Sequence, residues 1–275
     1  METVPFSGAM PGIAAVIALV PLTLVAFRPV SHERPGAAPL FWPALAIAAF
    51  FSAQWTYLQV VSGWSTGLSL ALTVTIASCL AAFAVLCLCS PPAWRLARLL
   101  LPYLLVLSLL AAAAHLRGLV RFVSGAPLLW LDFHIVISLA TYALLTLAAV
   151  AALAGVIQER ALKTKCPTWF SRALPAVAES EVLEIRLLAL SEAVLGAGLM
   201  SGMALLYQET GAPWRFDHKS LFSAAAFLVI GALLIARARS GVRGRAAARL
   251  VLVAYLLLTL AYIGVKFVRE ILLTG

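Results

Sequence analysis

The chain has 275 residues, 63% of them hydrophobic and only 11% charged, with a net charge of +9. Soluble domains are nearer half apolar and a quarter charged. The composition therefore excludes a soluble globular protein and, with a mean hydropathy of +1.03, points to a polytopic membrane protein. The surplus of arginine is accounted for by the cytoplasmic ends of membrane helices, which removes the case for a nucleic-acid partner.

The N-terminus, METVPFSGAMPG, has Glu2 and no Lys or Arg before Arg28. A secretory signal needs a positive start, so the run from Ile13 to Phe27 is read as a retained first membrane helix. A hydrocarbon core takes about 20 residues of helix, and eight segments qualify: roughly 9–27, 41–61, 66–89, 99–117, 132–157, 187–208, 219–237 and 248–268. Backbone groups in lipid must be satisfied internally. The expected fold is thus an all-α membrane protein, a bundle of about eight transmembrane helices forming a single membrane domain over 1–275.

Orientation follows from the basic residues. With the N-terminus outside, fourteen of the 20 Lys and Arg fall on the inner side and six on the outer. Both termini are then outside. The longest loop, Gln158–Arg186, becomes cytoplasmic. Its charges read as a solvated face, and SRALPAVAESEVLEIR as a short interfacial helix. Gly196, Gly198, Gly202 and the Ala111–Ala114 tract permit close helix approach. Gln54 is expected to bond another helix, Glu192 to face a partner such as Arg186, and Lys266 to snorkel. Cys79, Cys87, Cys89 and Cys166 show no disulfide or metal spacing. With no paired buried charges or broken helices evident in the spans, a small-solute transporter has little support.

The topology puts His32 in a cytoplasmic loop and the other three histidines toward the outer side: His115 at the end of span four, His134 at the start of span five, and His218 in the outer loop. The chain's two aspartates, Asp132 and Asp217, each lie within two residues of a histidine. A carboxylate there can orient an imidazole and raise its basicity as a ligand. Trp130, Phe133, Trp214 and Phe216 supply flat apolar surface beside them. Imidazole with aromatic walls suits a haem edge with His as axial ligand. An ordinary interfacial aromatic belt and a three-histidine zinc site are the alternatives. No nucleotide motif and no local nucleophile–base pair is present, so no enzymatic activity is expected.

Two stretches carry a family resemblance. The first is Asp132-Phe-His134-Ile-Val-Ile-Ser138-Leu-Ala-Thr-Tyr142-Ala143, continuing to Gln158-Glu159-Arg160-Ala-Leu162-Lys163. The second is Trp214-Arg-Phe216-Asp217-His218-Lys219-Ser220, then Ser240-Gly241-Val-Arg243-Gly244-Arg245, then Ala261-Tyr262-Ile-Gly264. Together they resemble the membrane-integral cytochrome c assembly family, the haem-handling CcsA, CcmC and HemX-like proteins, and are most similar to its short eight-span, YpjD-like subgroup. The resemblance covers about residues 95–272. The tryptophan-rich loop of that family is represented here by Trp214 and Phe216, and His218 stands where proline is usual.

The resemblance implies haem (b-type) cradled by outer loop 212–220, with His134 as the axial ligand. His218 or His115 would be the second ligand, Asp132 and Asp217 the ring orienters, and Trp130, Trp214 and Phe216 the platform. It also implies a bacterial inner (plasma) membrane location, with other cytochrome c maturation proteins or an apocytochrome as partners. The competing expectation is a regulatory or scaffolding membrane protein of HemX-like type, with a decayed haem site, acting through cytoplasmic loop 158–186.

Overall fold

A computed structural model describes residues 9–27, 40–61, 67–116, 128–211, 216–264 and 267–268. The expectations for His32, Trp214 and Lys266 lie outside the described residues, as do the side chains of Trp130 and Asp132. Every expected apolar segment is helical: α1 (Ala9–Phe27), α2 (Phe41–Val61), α3 (Leu68–Cys89), α4 (Ala97–Leu116), α5 (Leu128–Lys163), α7 (Val177–Thr210), α8 (His218–Ser240) and α9 (Gly244–Thr259). A single turn, α6 (Trp169–Arg172), lies between α5 and α7, and no strand occurs among the described residues. Among the described residues, six stretches are long and apolar enough to cross a membrane: Phe41–Val61, Leu68–Cys89, Pro91–His115, Phe133–Thr164, His218–Ser240 and Gly244–Gly264. The protein is a multi-pass, all-helical membrane protein.

Local chemistry sets the helix ends. Ser90 is extended ahead of Pro91 and Pro92, as a residue before proline must be, and a 3-10 turn, Pro91–Leu96, leads into α4. α7 and α8 both stop at glycines in the left-handed region, Gly211 (φ 72°) and Gly241 (φ 67°), where a side chain would be strained. Asp217 caps α8, its Oδ1 accepting from the Ser220 N–H at 2.7 Å, which satisfies one of the free donors of the first turn.

The chain divides into two compact units, 1–123 and 124–275. In the first, α1 touches α2 and α4, and α3 touches the same two helices. Its core is built on Leu19, Leu22, Phe41, Phe83, Leu100 and Leu104. Here the structure corrects the expectation for Gln54, which is exposed. The buried face of α2 runs Phe41, Leu45, Ala48, Ser52, Trp55, Gln59, in steps of three and four. Gln54 lies about 100° off that stripe. Gln59 makes the helix-to-helix bonds instead, donating to Thr73 Oγ1 and accepting from Ser69 Oγ, each at 3.3 Å.

In the second unit α5 touches α7 and α9, and α8 touches the same pair. α5 and α7 run antiparallel in one register over most of their length. His134 meets Ser201 and Gly202, Ile137 meets Gly198, and Gly155 meets Ser180. Small residues allow this approach: a Cβ added at Gly198 would lie 3.2 Å from Ile137 Cγ2. At 36 and 34 residues the two helices are about 54 and 51 Å long, against a hydrocarbon core of about 30 Å. Both therefore extend well past the apolar layer.

That extension corrects the reading of 158–186 as a loop. α5 continues to Lys163 and α7 begins at Val177, so the expected interfacial helix is largely the first turns of α7. Pro167 and Pro175 confine the break to the intervening segment, where Thr168 caps α6 and the Glu179 carboxylate accepts from the Ala176 N–H at 2.9 Å. The charges there are not all solvated either. Glu184 is buried and accepts from Arg237 Nη1 at 3.0 Å, the two side chains being 5% and 7% exposed. Arg237 also donates from Nε to the Val242 carbonyl at 3.2 Å, tying α7, α8 and the α8–α9 turn together. Glu192 does not face Arg186, which is exposed. It lies against α8, its Oε1 3.0 Å from where a Cβ on Gly231 would be.

Candidate functional site

The helical period puts His134, Ser138, Thr141 and Tyr142 on one face of α5. Across from it, α7 offers a stripe of Leu195, Gly198, Leu199, Gly202 and Leu206. The start of α8 adds Asp217, Lys219, Ser220 and Ser223, and α9 with the π-turn Leu260–Gly264 adds Leu258, Ala261 and Tyr262. These residues line one cavity of about 300 Å³ inside the second unit. Among the described residues its walls are mostly apolar, with the His134 imidazole, several hydroxyls, the Asp217 carboxylate and the Lys219 ammonium placed among them. That is the composition expected of a small-molecule site.

The tautomer of His134 is assigned from its hydrogen bonds. Nδ1 lies 2.9 Å from Ser201 Oγ, and the Ser201 hydroxyl donates its single proton to the Gly198 carbonyl at 3.0 Å. A hydroxyl has one proton to give, so with that proton on the Gly198 carbonyl the neutral ring is assigned as donating from Nδ1–H to Ser201. Nε2 is then left with the lone pair. Ring orientation is fixed further by Gly202: a Cβ there would lie 3.0 Å from His134 Cε1, so the imidazole rests directly on that glycine. An imidazole held by one nitrogen and free to coordinate through the other is the arrangement found in protein ligands to metals.

Deeper in the cavity wall sits a tyrosine cluster. The fully buried Tyr142 hydroxyl is 3.2 Å from both Tyr255 Oη and Thr259 Oγ1. Thr259 Oγ1 also donates to the Tyr255 carbonyl at 2.8 Å, closing a hydroxyl network around Tyr142. Tyr262 packs its ring 5.9 Å from that of Tyr142.

The expected site residues fare unequally. His134 and Asp217 line the cavity, and Asp217 is engaged as the α8 cap. His218, the first residue of α8, is exposed and is not in the lining. Phe216 is 86% exposed and likewise outside it. His115 belongs to the first unit, edge-on to Trp55 at 6.4 Å between ring centres, with its Nδ1 buried and without a hydrogen-bond partner. Among the described residues no three of His, Cys, Asp and Glu gather as a metal-binding group, so the three-histidine zinc reading gains nothing. Sequence reasoning named Ser138, Tyr142, Lys219 and Tyr262 only as carriers of the resemblance and did not assign them to the site. It missed Ser201, whose only signal is its place beside Gly202.

Fold and site define a class: a multi-pass helical membrane protein with a histidine-bearing cavity in its second helical unit. The chain belongs to the cytochrome c assembly protein family, whose model matches residues 38–273, and this gives it a role in cytochrome c biogenesis. It is also 52% identical over 262 residues to an uncharacterized 28.8 kDa protein in the nifR3-like 5′ region of Azospirillum brasilense, covering 95% of this chain and 97% of that one. No solved structure matches it.

Proposed function

We propose that the protein holds haem for cytochrome c assembly, with His134 as an axial ligand, and delivers it without chemical turnover of its own. One observation carries this reading. The separate stretches of the family resemblance converge on a single cavity: His134, Ser138 and Tyr142 from one, Asp217, Lys219 and Ser220 from the next, Ala261 and Tyr262 from the last. Haem supplies an iron with a coordination position open to an imidazole nitrogen.

The chain's residues fit that cargo. His134 presents Nε2 with its lone pair, Ser201 holds the ring, and Leu195, Leu199 and Leu206 give the apolar surface a macrocycle needs. At about 300 Å³ the cavity is at the small end of ligand sites, which run to ~1,000 Å³. It would hold part of the macrocycle, with Phe216, His218 and Trp214 of loop 212–220 as the proposed platform and second ligand. In this reading the chain makes eight spans in a bacterial inner membrane, with both termini and the loop outside. Haem is then handed to an apocytochrome or another maturation protein on that side. The test is the absorbance spectrum of protein purified after haem-replete expression. A Soret band lost in His134→Ala and retained in His218→Ala supports the assignment. Absence of the band, or a band unaffected by His134→Ala, contradicts it.

A further inference from the structure

A second concavity lies between α5 and α9 and has no part in the site above. α5 contributes Leu153, Val156 and Arg160, and α9 contributes Arg245, Ala248, Arg249 and Leu252, around about 500 Å³. The spacings, three and four residues on α5 and three, one and three on α9, place each set on a single helix face. The two helices are antiparallel, and their basic ends coincide: a Cβ on Gly244, the first residue of α9, would lie 3.2 Å from Glu159 Oε2 near the end of α5. Three guanidinium groups therefore crown one end of the groove. Aliphatic walls run from there toward the apolar layer, about 10 Å from Arg160 to Leu153.

Among the described residues no ion pair within salt-bridge distance joins any of the three arginines to a carboxylate, although Arg245 and Glu159 are close enough to interact electrostatically. Glu159, beside the start of α9, is hydrogen-bonded to Lys163. Leu153 and Leu252 are exposed, as are all three arginines, so the groove faces what surrounds the helices. A cationic head above an apolar channel at a helix end is complementary to an anion carrying a hydrocarbon chain, and at this boundary lipid supplies that ligand.

We propose that this groove binds an anionic glycerophospholipid. Its phosphate sits among Arg160, Arg245 and Arg249, and an acyl chain lies along Leu153, Val156 and Leu252. Guanidinium is suited to the role because its planar fork meets two phosphate oxygens at once. The lipid would hold the ends of α5 and α9 together at the face where both are basic and repel one another.

The experiment uses the full chain in neutral detergent, with phosphatidylglycerol, phosphatidylcholine and inorganic phosphate as separate probes. Bound lipid is read by native mass spectrometry and the unfolding midpoint by thermal scan. Phosphatidylglycerol is expected to be retained and to raise the midpoint, while phosphatidylcholine and inorganic phosphate do neither. Arg245→Gln with Arg249→Gln should weaken phosphatidylglycerol roughly fivefold for each arginine removed. Arg245→Lys with Arg249→Lys should recover part of that loss. Lys165→Gln with Arg172→Gln removes equal charge from the neighbouring segment and should leave retention unchanged. Equal retention of the two lipids, equal loss in the Lys165/Arg172 variant, or stabilisation by inorganic phosphate alone would each overturn the proposal. The lipid comparison on unaltered protein remains decisive if a variant fails to fold. No readout involves haem, so this proposal and the haem reading fail separately.

Discussion

His134 Nδ1 lies 2.9 Å from Ser201 Oγ, a contact between residues 67 apart in sequence that, with Nδ1–H as donor, presents Nε2 as the ring's unprotonated nitrogen. Ser201→Ala removes the acceptor that fixes this tautomer. Groups that orient a ligating histidine are worth about 10- to 100-fold in metal affinity. Haem titration of the purified variant should show weakening in that range, with helix content by circular dichroism unchanged.

Gly202 and Gly198 are separable by the same measurement. Alanine at 202 places a methyl 3.0 Å from His134 Cε1 and 3.6 Å from Nδ1, which pushes the ring off Ser201. Alanine at 198 crowds Ile137 at 3.2 Å and leaves the histidine alone. Overpacking costs about 1–3 kcal/mol in either case, so both variants lose thermal stability. Only Gly202→Ala is expected to lose haem affinity as well.

The Glu184–Arg237 pair predicts a different pattern. Both side chains are nearly inaccessible, and Arg237 Nη2 already lacks a partner. Glu184→Leu leaves a buried guanidinium uncompensated, at a cost of about 3–5 kcal/mol. Glu184→Leu combined with Arg237→Leu should recover most of it, since a buried pair is often replaceable by apolar side chains together. Thermal denaturation of the two single variants and the double variant closes the cycle.

In the first unit the contrast is between two glutamines five residues apart. Gln59→Leu breaks bonds to Ser69 and Thr73 and should destabilise by about 0.6–1.7 kcal/mol, the range for polar contacts between membrane helices. Gln54→Leu, on the exposed side of α2, should leave the unfolding midpoint unchanged or raise it slightly.

That contrast shows what sequence made visible. Helix positions were legible because an apolar run of span length has one way to satisfy its backbone, and α2 was expected and found at 41–61. Helix faces were not. Gln54 and Gln59 both sit in an apolar run, and only the tertiary phase of Trp55 and Ser52 distinguishes them. The polar ends of α5 and α7 were misread because Glu, Arg, Leu and Ala are good helix formers whether or not lipid surrounds them, so falling hydropathy at Gln158 marked no helix end. At the site, His134 was legible as an imidazole near a membrane boundary. Ser201 was not, because its role depends on the antiparallel register of two helices, which nothing local encodes. Asp217 was read as a ring orienter; it caps α8 and also lines the cavity.

The central claim is that His134 coordinates iron through Nε2, and the most direct measurement is chemical rescue. His134→Gly opens a space one imidazole wide beside Gly202 and should abolish the Soret band of haem-replete protein. Free imidazole added to the purified variant with haem should then restore a band at the wavelength of the unaltered protein, saturating with imidazole concentration. A His134→Gly variant that keeps its original spectrum, or one that binds haem identically with and without imidazole, would contradict the account.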